Sequence, residues 1–310
     1  MAIPDLQHPA KARVARLYWP AVGDYLPGVP ELPEVEVLVR SLAPLLTGRT
    51  VSAVHVRRPK LLAPTSTRQL TRALVGGRFL GVARRGKYLL FTLQSLAQPA
   101  PLLVVGHLGM TGRMFLRPAG TPTTKHAVVV LKLGQEDFVF EDARGFGRFT
   151  LDTGALGKLG PEALGPEFTV PYFAQALKRS SQAVKVKLLD QSLVAGIGNI
   201  YASEALFRAG LSPRSPARRL KAEQVSRLWR AIREVLDEAI GWGSTVRLDY
   251  PGTARRDRLF YYGTVEGEFG TERLRVYDHA DEPCPRCGTL IARVVQAARS
   301  TFFCPVCQRK

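Results

Sequence analysis

Pro30-Glu31-Leu32-Pro33-Glu34-Val35-Glu36 opens the first helical segment of the chain and sets the frame for everything after it. Pro33 fits a first helical turn, where a missing N–H costs nothing. Glu34 and Glu36 suit the positive end of the helix. Val35, Leu38, Val39, Leu42 and Leu45 then recur at helical spacing and give it an apolar face. On these features alone the segment is a capped amphipathic helix. Residues 1–29 carry scattered Pro and Gly without sustained periodicity and read as a poorly ordered extension.

Beyond the helix come short segments rich in β-formers: Thr50–Arg57, Arg78–Ala83, Tyr88–Leu93, Leu102–Gly106, Ala127–Leu133, Phe138–Glu141 and Arg148–Leu151. Gly, Pro and charged turns punctuate them, which predicts a β-sandwich over about residues 30–158. A Gly- and Pro-rich loop, Gly157–Pro171, separates this unit from a helical region, and Gly165-Pro166-Glu167 within it reads as linker. Pro171–Ser180 and Val184–Asp190 read as short helices. Residues 221–240 place Val225, Leu228, Trp229, Ile232, Val235, Leu236 and Ile240 on one face of a long core helix.

A chain of 310 residues is long enough for two domains. It holds no apolar run of membrane-span length, and its first thirty residues lack a signal peptide's apolar segment, so it is expected to be soluble and intracellular. Lys and Arg total 44 against 26 acids, a formal charge of +18. That excess favours a polyanion partner and salt-sensitive binding; the competing reading is a basic surface that only aids solubility. All four cysteines lie near the end of the chain as Cys284-x-x-Cys287 and Cys304-x-x-Cys307. Two such pairs suit one tetrahedral zinc, and four thiolates leave no open position for water, so the ion is read as structural. Disulfides are the alternative, but nothing suggests an oxidising compartment.

Together these stretches resemble the formamidopyrimidine-DNA glycosylases, bifunctional base-excision repair enzymes related to endonuclease VIII. Pro30–Glu36 is similar to that family's amino terminus, in which a free proline nitrogen attacks the damaged nucleotide's sugar. The resemblance implies Pro30 as nucleophile, Glu31 as general acid and base, and Lys87, in Arg84-Arg85-Gly86-Lys87-Tyr88-Leu89-Leu90, as a phosphate contact near the lesion. His107-Leu108-Gly109-Met110-Thr111-Gly112 matches a family motif whose methionine fills the gap left by the extruded nucleotide. Asp142-Ala143-Arg144-Gly145-Phe146-Gly147 resembles the family's D-P-R-R-F-G loop, with Ala143 and Gly145 in place of the Pro and the second Arg. Arg144 would then meet the orphaned base and Phe146 would wedge the stack. Gln191–Glu204 resembles the helix–two-turn–helix, which implies that Lys185 and Asn199 contact the DNA backbone and that Glu204 lies near the proline. Without the family, the Gly196-Ile197-Gly198-Asn199 turn offers free N–H groups to a phosphate, or simply a helix cap at Asn199. Arg299, between the two cysteine pairs, would lie against phosphates flanking the lesion.

The implied fold is α+β: an N-terminal β-sandwich with a leading helix, a helix–two-turn–helix domain over about residues 165–265, and a four-cysteine zinc finger over 276–310. The implied activity is removal of oxidised purines (8-oxoguanine, formamidopyrimidines) from duplex DNA, with strand cleavage by β,δ-elimination. The protein is expected to be a cytoplasmic monomer of bacterial type with one zinc ion. An amide nitrogen cannot attack, so the chemistry expects translation to start at Val29, freeing Pro30. A chain that keeps residues 1–29 would instead be a lesion binder without catalysis. Other readings are an endonuclease VIII-like enzyme for oxidised pyrimidines and a generic zinc-ribbon protein. Arg247–Glu268 departs from the family in length and in its Arg and Tyr content; Tyr250, Phe260, Tyr261 and Tyr262 either pack locally or stack on a base.

Overall fold

The computed structural model describes residues 29–243 and 274–309; the expectations for residues 1–28 and for Arg247–Glu268, with its four aromatics, lie outside them. Helix α1 (Leu32–Leu46) starts where expected, and the Glu31 backbone N–H donates to the Glu34 carboxylate at 2.8 Å, half of a capping box. Its buried stripe is Val35, Leu38, Val39, Leu42 and Leu46. Leu45, expected on the apolar face, is exposed, because Leu46 falls on the buried stripe one turn beyond Leu42.

Two four-stranded antiparallel sheets follow. One orders β1 (Ala53–Val56), β6 (Ala127–Lys132), β7 (Glu136–Asp142) and β5 (Gly112–Pro118) side by side. The other orders β2 (Arg78–Arg85), β3 (Tyr88–Gln94), β4 (Leu102–His107) and β8 (Arg148–Thr150). Phe91, Phe138 and Phe149 meet between them with ring centroids 5.6–6.0 Å apart, so one core joins both sheets to α1.

Two elements were absent from the sequence reading. Strand β5 is buried along nearly its whole length although it carries Arg113 and Arg117. Each arginine sits opposite an acid of β7, Arg113 with Glu141 at 3.0 Å and Arg117 with Asp137 at 3.7 Å. Helix α2 (Thr67–Leu74) is capped by Ser66, which accepts from the Gln69 N–H at 3.2 Å. The Ser66-x-x-Gln69 spacing is a legible capping signal.

A second core gathers α3 (Val170–Lys178), α4 (Val184–Leu188), α5 (Asn199–Arg208) and α6 (Ala222–Gly241), and Leu32 of α1 belongs to it. The half-buried Trp229 of α6 donates its indole N–H to the Phe168 carbonyl at 2.6 Å, which satisfies its polar edge. Strands β9 (Ala292–Gln296) and β10 (Arg299–Phe303) form a hairpin whose turn, Ala297–Ala298, has positive φ at both residues. That hairpin leans on α5.

Candidate active site

The start of α1 and the start of α5 meet head to head. The Leu32 N–H donates to the Gly196 carbonyl at 3.1 Å. Glu31, 1 % exposed, turns its carboxylate onto the first turn of α5 and accepts from Ile200 N at 2.9 Å and Tyr201 N at 3.4 Å. Two N–H groups of this helix's first turn are thus taken by an acid of the protein itself. Space dictates the two glycines here. A Cβ on Gly198 would strike the Glu31 carboxylate and lie 2.5 Å from the Lys87 Nζ, and one on Gly196, where φ is +103°, would strike Leu32.

Lys87 comes from the β2–β3 turn. Of its three expected cations only this one reaches Glu31. Arg84 pairs with Glu36 at 2.8 Å and Glu162 at 2.6 Å, and Arg85 pairs with Glu162 at 2.9 Å. Glu162, within the Gly- and Pro-rich loop, therefore anchors this turn to the segment entering the helical core. Burial pushes the Glu31 carboxyl above the usual carboxylate range, against the pull of Lys87. Burial likewise pushes the Lys87 amine down, with Glu31 opposing and Arg299 adding to the fall. An acid raised beside a base lowered is matched for proton transfer. Behind them Glu34, buried, accepts from the Tyr201 hydroxyl at 2.7 Å.

His107, at the end of β4, is pushed down to about 4 by burial, with Lys87 and Arg148 adding to the fall. Its Nδ1 accepts from Gly109 N at 3.0 Å, so the neutral ring carries its proton on Nε2 and offers it as a donor.

Lys185 and Asn199 bond to each other and to the finger hairpin. The Lys185 ammonium donates to Asn199 Oδ1 at 2.7 Å, the Ser300 carbonyl at 3.0 Å and Thr301 Oγ1 at 2.9 Å. Asn199 donates to the Ser300 carbonyl at 3.0 Å; it is the first residue of α5 and Gly198 is the cap, so the expected Asn199 cap is not formed. Both side chains join the helical core to the β9–β10 hairpin. Arg299 stands exposed at the head of β10, close enough to depress both Lys87 and Lys185. Glu204 accepts three backbone N–H groups, from Arg275, Val276 and Tyr277, each at 2.9 Å. Its acceptors go to the strand of chain leading into the finger, not to the residues around Pro30.

A second group faces solvent on the loop after β7. Phe146 is 54 % exposed, with the Arg144 guanidinium 5.3 Å from its ring centroid. Asp142, fully buried, ties this loop to the Met110 turn: it accepts from Thr111 Oγ1 at 2.6 Å, Arg144 N at 3.1 Å and Gly147 N at 2.7 Å. A Cβ on Gly109 would lie 2.6 Å from Gly147 N, so the two turns touch backbone to backbone. Met110 is half-buried beside them. Asp142, Thr111, Tyr201 and Glu162 have no role assigned from sequence, and Glu34 only that of an acid at the helix start. Asp142 and Thr111 lie inside quoted motifs, so the signal for them was present.

Cys284, Cys287, Cys304 and Cys307 bring their sulfurs within 4.8 Å of one another, with Cys284–Cys307 at 3.9 Å and Cys287–Cys304 at 3.5 Å. A zinc tetrahedron with bonds of about 2.3 Å has edges of about 3.8 Å, so the donor set fits that ion. Arg286 N and Cys307 N donate to Cys284 Sγ and Cys304 Sγ at 3.4 and 3.3 Å, which orients the thiolates. The four cysteines hold one structural zinc.

Sandwich, helix–two-turn–helix and zinc hairpin, meeting at a buried acid and a ring of cations, define a two-domain protein with a zinc finger at its carboxyl end. The formamidopyrimidine-DNA glycosylase N-terminal domain matches residues 29–149, the H2TH domain of the same enzymes residues 159–249, and the zinc finger found in FPG and IleRS residues 281–309. The formamidopyrimidine-DNA glycosylase of Carboxydothermus hydrogenoformans is 40 % identical over 283 residues, 91 % of this chain and all of the relative. That of Thermus thermophilus is 44 % identical over 287 residues, 90 % of this chain and 98 % of the relative. Among solved structures, the Lactococcus lactis enzyme in complex with DNA containing an abasic site superposes with a TM-score of 0.79 at 31 % identity, covering 91 % of this chain and all of that one. The chain belongs to the formamidopyrimidine-DNA glycosylase family.

Proposed function

We propose that this protein is a base-excision repair glycosylase that removes oxidised purines from duplex DNA and then cleaves the strand as an AP lyase. The observation that carries the reading is the buried Glu31–Lys87 pair beside Pro30, at the junction of sandwich and helical core. The Pro30 nitrogen attacks C1′ of the extruded nucleotide, and the base departs with a proton. The sugar ring then opens, the C1′–O4′ bond breaking as O4′ takes a proton, and the resulting iminium, necessarily cationic, draws electrons from the sugar, so that successive loss of its protons expels the phosphates on either side. Glu31, its carboxylate on the first turn of α5 and next to Pro30 in the chain, moves the protons. Lys87, Lys185, Asn199 and Arg299 meet the phosphates, with the neutral His107 beside them, while Glu204 holds the segment leading into the finger. Met110, Arg144 and Phe146 fill the space the extruded nucleotide leaves.

On this reading the sandwich of residues 30–158 is catalytic, the helical unit of 165–265 grips DNA, and 276–310 form the finger. The relatives are bacterial, and among the described residues no helix is long and apolar enough to cross a membrane. A chromosomal substrate in such a cell supports a cytoplasmic protein, acting as a monomer. A Lactococcus lactis relative has also been solved with DNA containing an oxidised pyrimidine, at a TM-score of 0.79, which keeps oxidised pyrimidines as a second substrate class.

The chemistry needs a secondary amine at Pro30, hence a working chain that begins there. The test is borohydride trapping on 8-oxoguanine and thymine glycol duplexes. A chain starting at Pro30 is expected to form a covalent adduct, faster on 8-oxoguanine, and a chain retaining residues 1–29 to bind without trapping. Equal trapping by both chains would remove Pro30 as nucleophile.

A further inference from the structure

The loop that carries Arg144 and Phe146 is gripped from an unexpected direction. Arg58 follows β1, more than eighty residues earlier, and its Nη1 donates to the Asp142 carbonyl. Its Nη2 lies 2.9 Å from where a side chain at Gly145 would begin. Gly145 has a φ of +75°, a conformation that disfavours a larger residue, so the volume beside the wedge is filled by a guanidinium reaching in from another element. Among the described residues, Asp142 supplies the side chain's one acceptor, and none of its remaining donors is buried without a partner.

The surrounding charges point the same way. Arg84, Arg85, Arg113, Arg117 and Arg208 all have carboxylate partners. Arg58, its neighbours Arg57 and Lys60, and the loop's own Arg144 and Arg148 have none among the described residues. Cations without carboxylate partners, on and near the loop that carries an exposed aromatic, suit a polyanion.

We propose that Arg58 contacts a DNA phosphate beside the Arg144–Phe146 wedge, its guanidinium aimed by the Asp142 carbonyl and admitted by Gly145. This rests on the glycosylase reading above and adds to it a residue outside every motif that carried the family resemblance. Arg58 binds backbone, so it raises affinity for all sequences and sets where the wedge enters.

The test uses the zinc-loaded chain starting at Pro30 and a duplex with an uncleavable tetrahydrofuran site, with affinity measured by fluorescence anisotropy across a salt series. One phosphate contact contributes about 0.9 to the slope of log K against log salt, roughly eightfold in affinity at about 0.1 M. Arg58→Gln is expected to lose that much affinity and that increment of slope, while Arg58→Lys keeps most of both. A buttress that never touches DNA would leave the slope unchanged in Arg58→Gln, and that result overturns the proposal. Wild-type protein with no salt-dependent affinity would instead overturn the DNA-repair reading itself, so the two failures are distinct.

Discussion

The ammonium of Lys185 donates to Asn199, Ser300 and Thr301 in a site closed to water, and burial pushes it down to about 7, with the Arg299 charge adding to the fall and Glu31 resisting it. A phosphate brought near it favours the charged form, so the complex holds the Lys185 proton more tightly than the free protein does. Below about pH 7 both states carry that proton and affinity is flat in pH. Above it the free protein has released the proton, binding must take one up, and affinity falls by up to about tenfold per pH unit until the bound-state pKa is passed. Lys87, also depressed, adds in the same direction. Measured between pH 6.5 and 9 on the uncleavable duplex, wild type is expected to weaken with rising pH and Lys185→Met to weaken much less. A pH dependence identical in the two proteins would remove Lys185 from the linkage. His107 stays out of this window, because its pKa near 4 keeps it neutral throughout.

At the scale of elements, the wedge loop and the Met110 turn move as one piece because Asp142 accepts from both. In Asp142→Asn one acceptor oxygen becomes an NH2 group, and a buried donor from Thr111, Arg144 or Gly147 loses its partner. The expected cost is about 1–3 kcal/mol of stability by thermal unfolding, with a larger fractional loss of lesion-duplex affinity than any exposed loop substitution gives. Unchanged stability would mean the loop is held by something else. Arg144 and Phe146 stand in a motif and are candidates from sequence alone, but the hold of Arg58 on their loop was not legible, since Arg58 comes from a distant stretch. The same limit explains β5. Its charges sit opposite Glu141 and Asp137, so burial is set by cross-strand pairing that a single segment does not display. Helix α1, by contrast, was readable to within one side chain, since its stripe and its acidic first turn are local. Lys185 and Asn199 stand out in sequence as candidates, yet the partners that seat them, Ser300 and Thr301, lie more than a hundred residues on.

Across the whole molecule, the zinc finger is a structural half of the site rather than an appendage. Its hairpin carries Arg299 and supplies the Ser300 and Thr301 acceptors that seat Lys185 and Asn199. Glu204 and Arg286 bind it to α5 from the other side: Arg286 donates to the Phe207 carbonyl at 3.0 Å and lies over the Phe207 ring, 4.3 Å from its centroid. The finger's own core is small, Phe207, Val276, Cys284, Ile291, Phe302 and Cys304, and two of those six residues are zinc ligands. A core of that size does not hold its shape without the ion. The sandwich and the helical bundle each have a large separate core and do not depend on it. Chelation, or Cys304→Ser, is therefore expected to release zinc and to leave far-UV circular dichroism nearly unchanged. Lesion-duplex affinity should fall by about tenfold or more as the Arg299 contact is lost and Lys185 is freed from its seat. The salt slope should drop with it, since a charge contact is what disappears. Full affinity in metal-free protein would show that the hairpin keeps its place unaided, and the coupling drawn between the thiolates and the phosphate grip would be wrong.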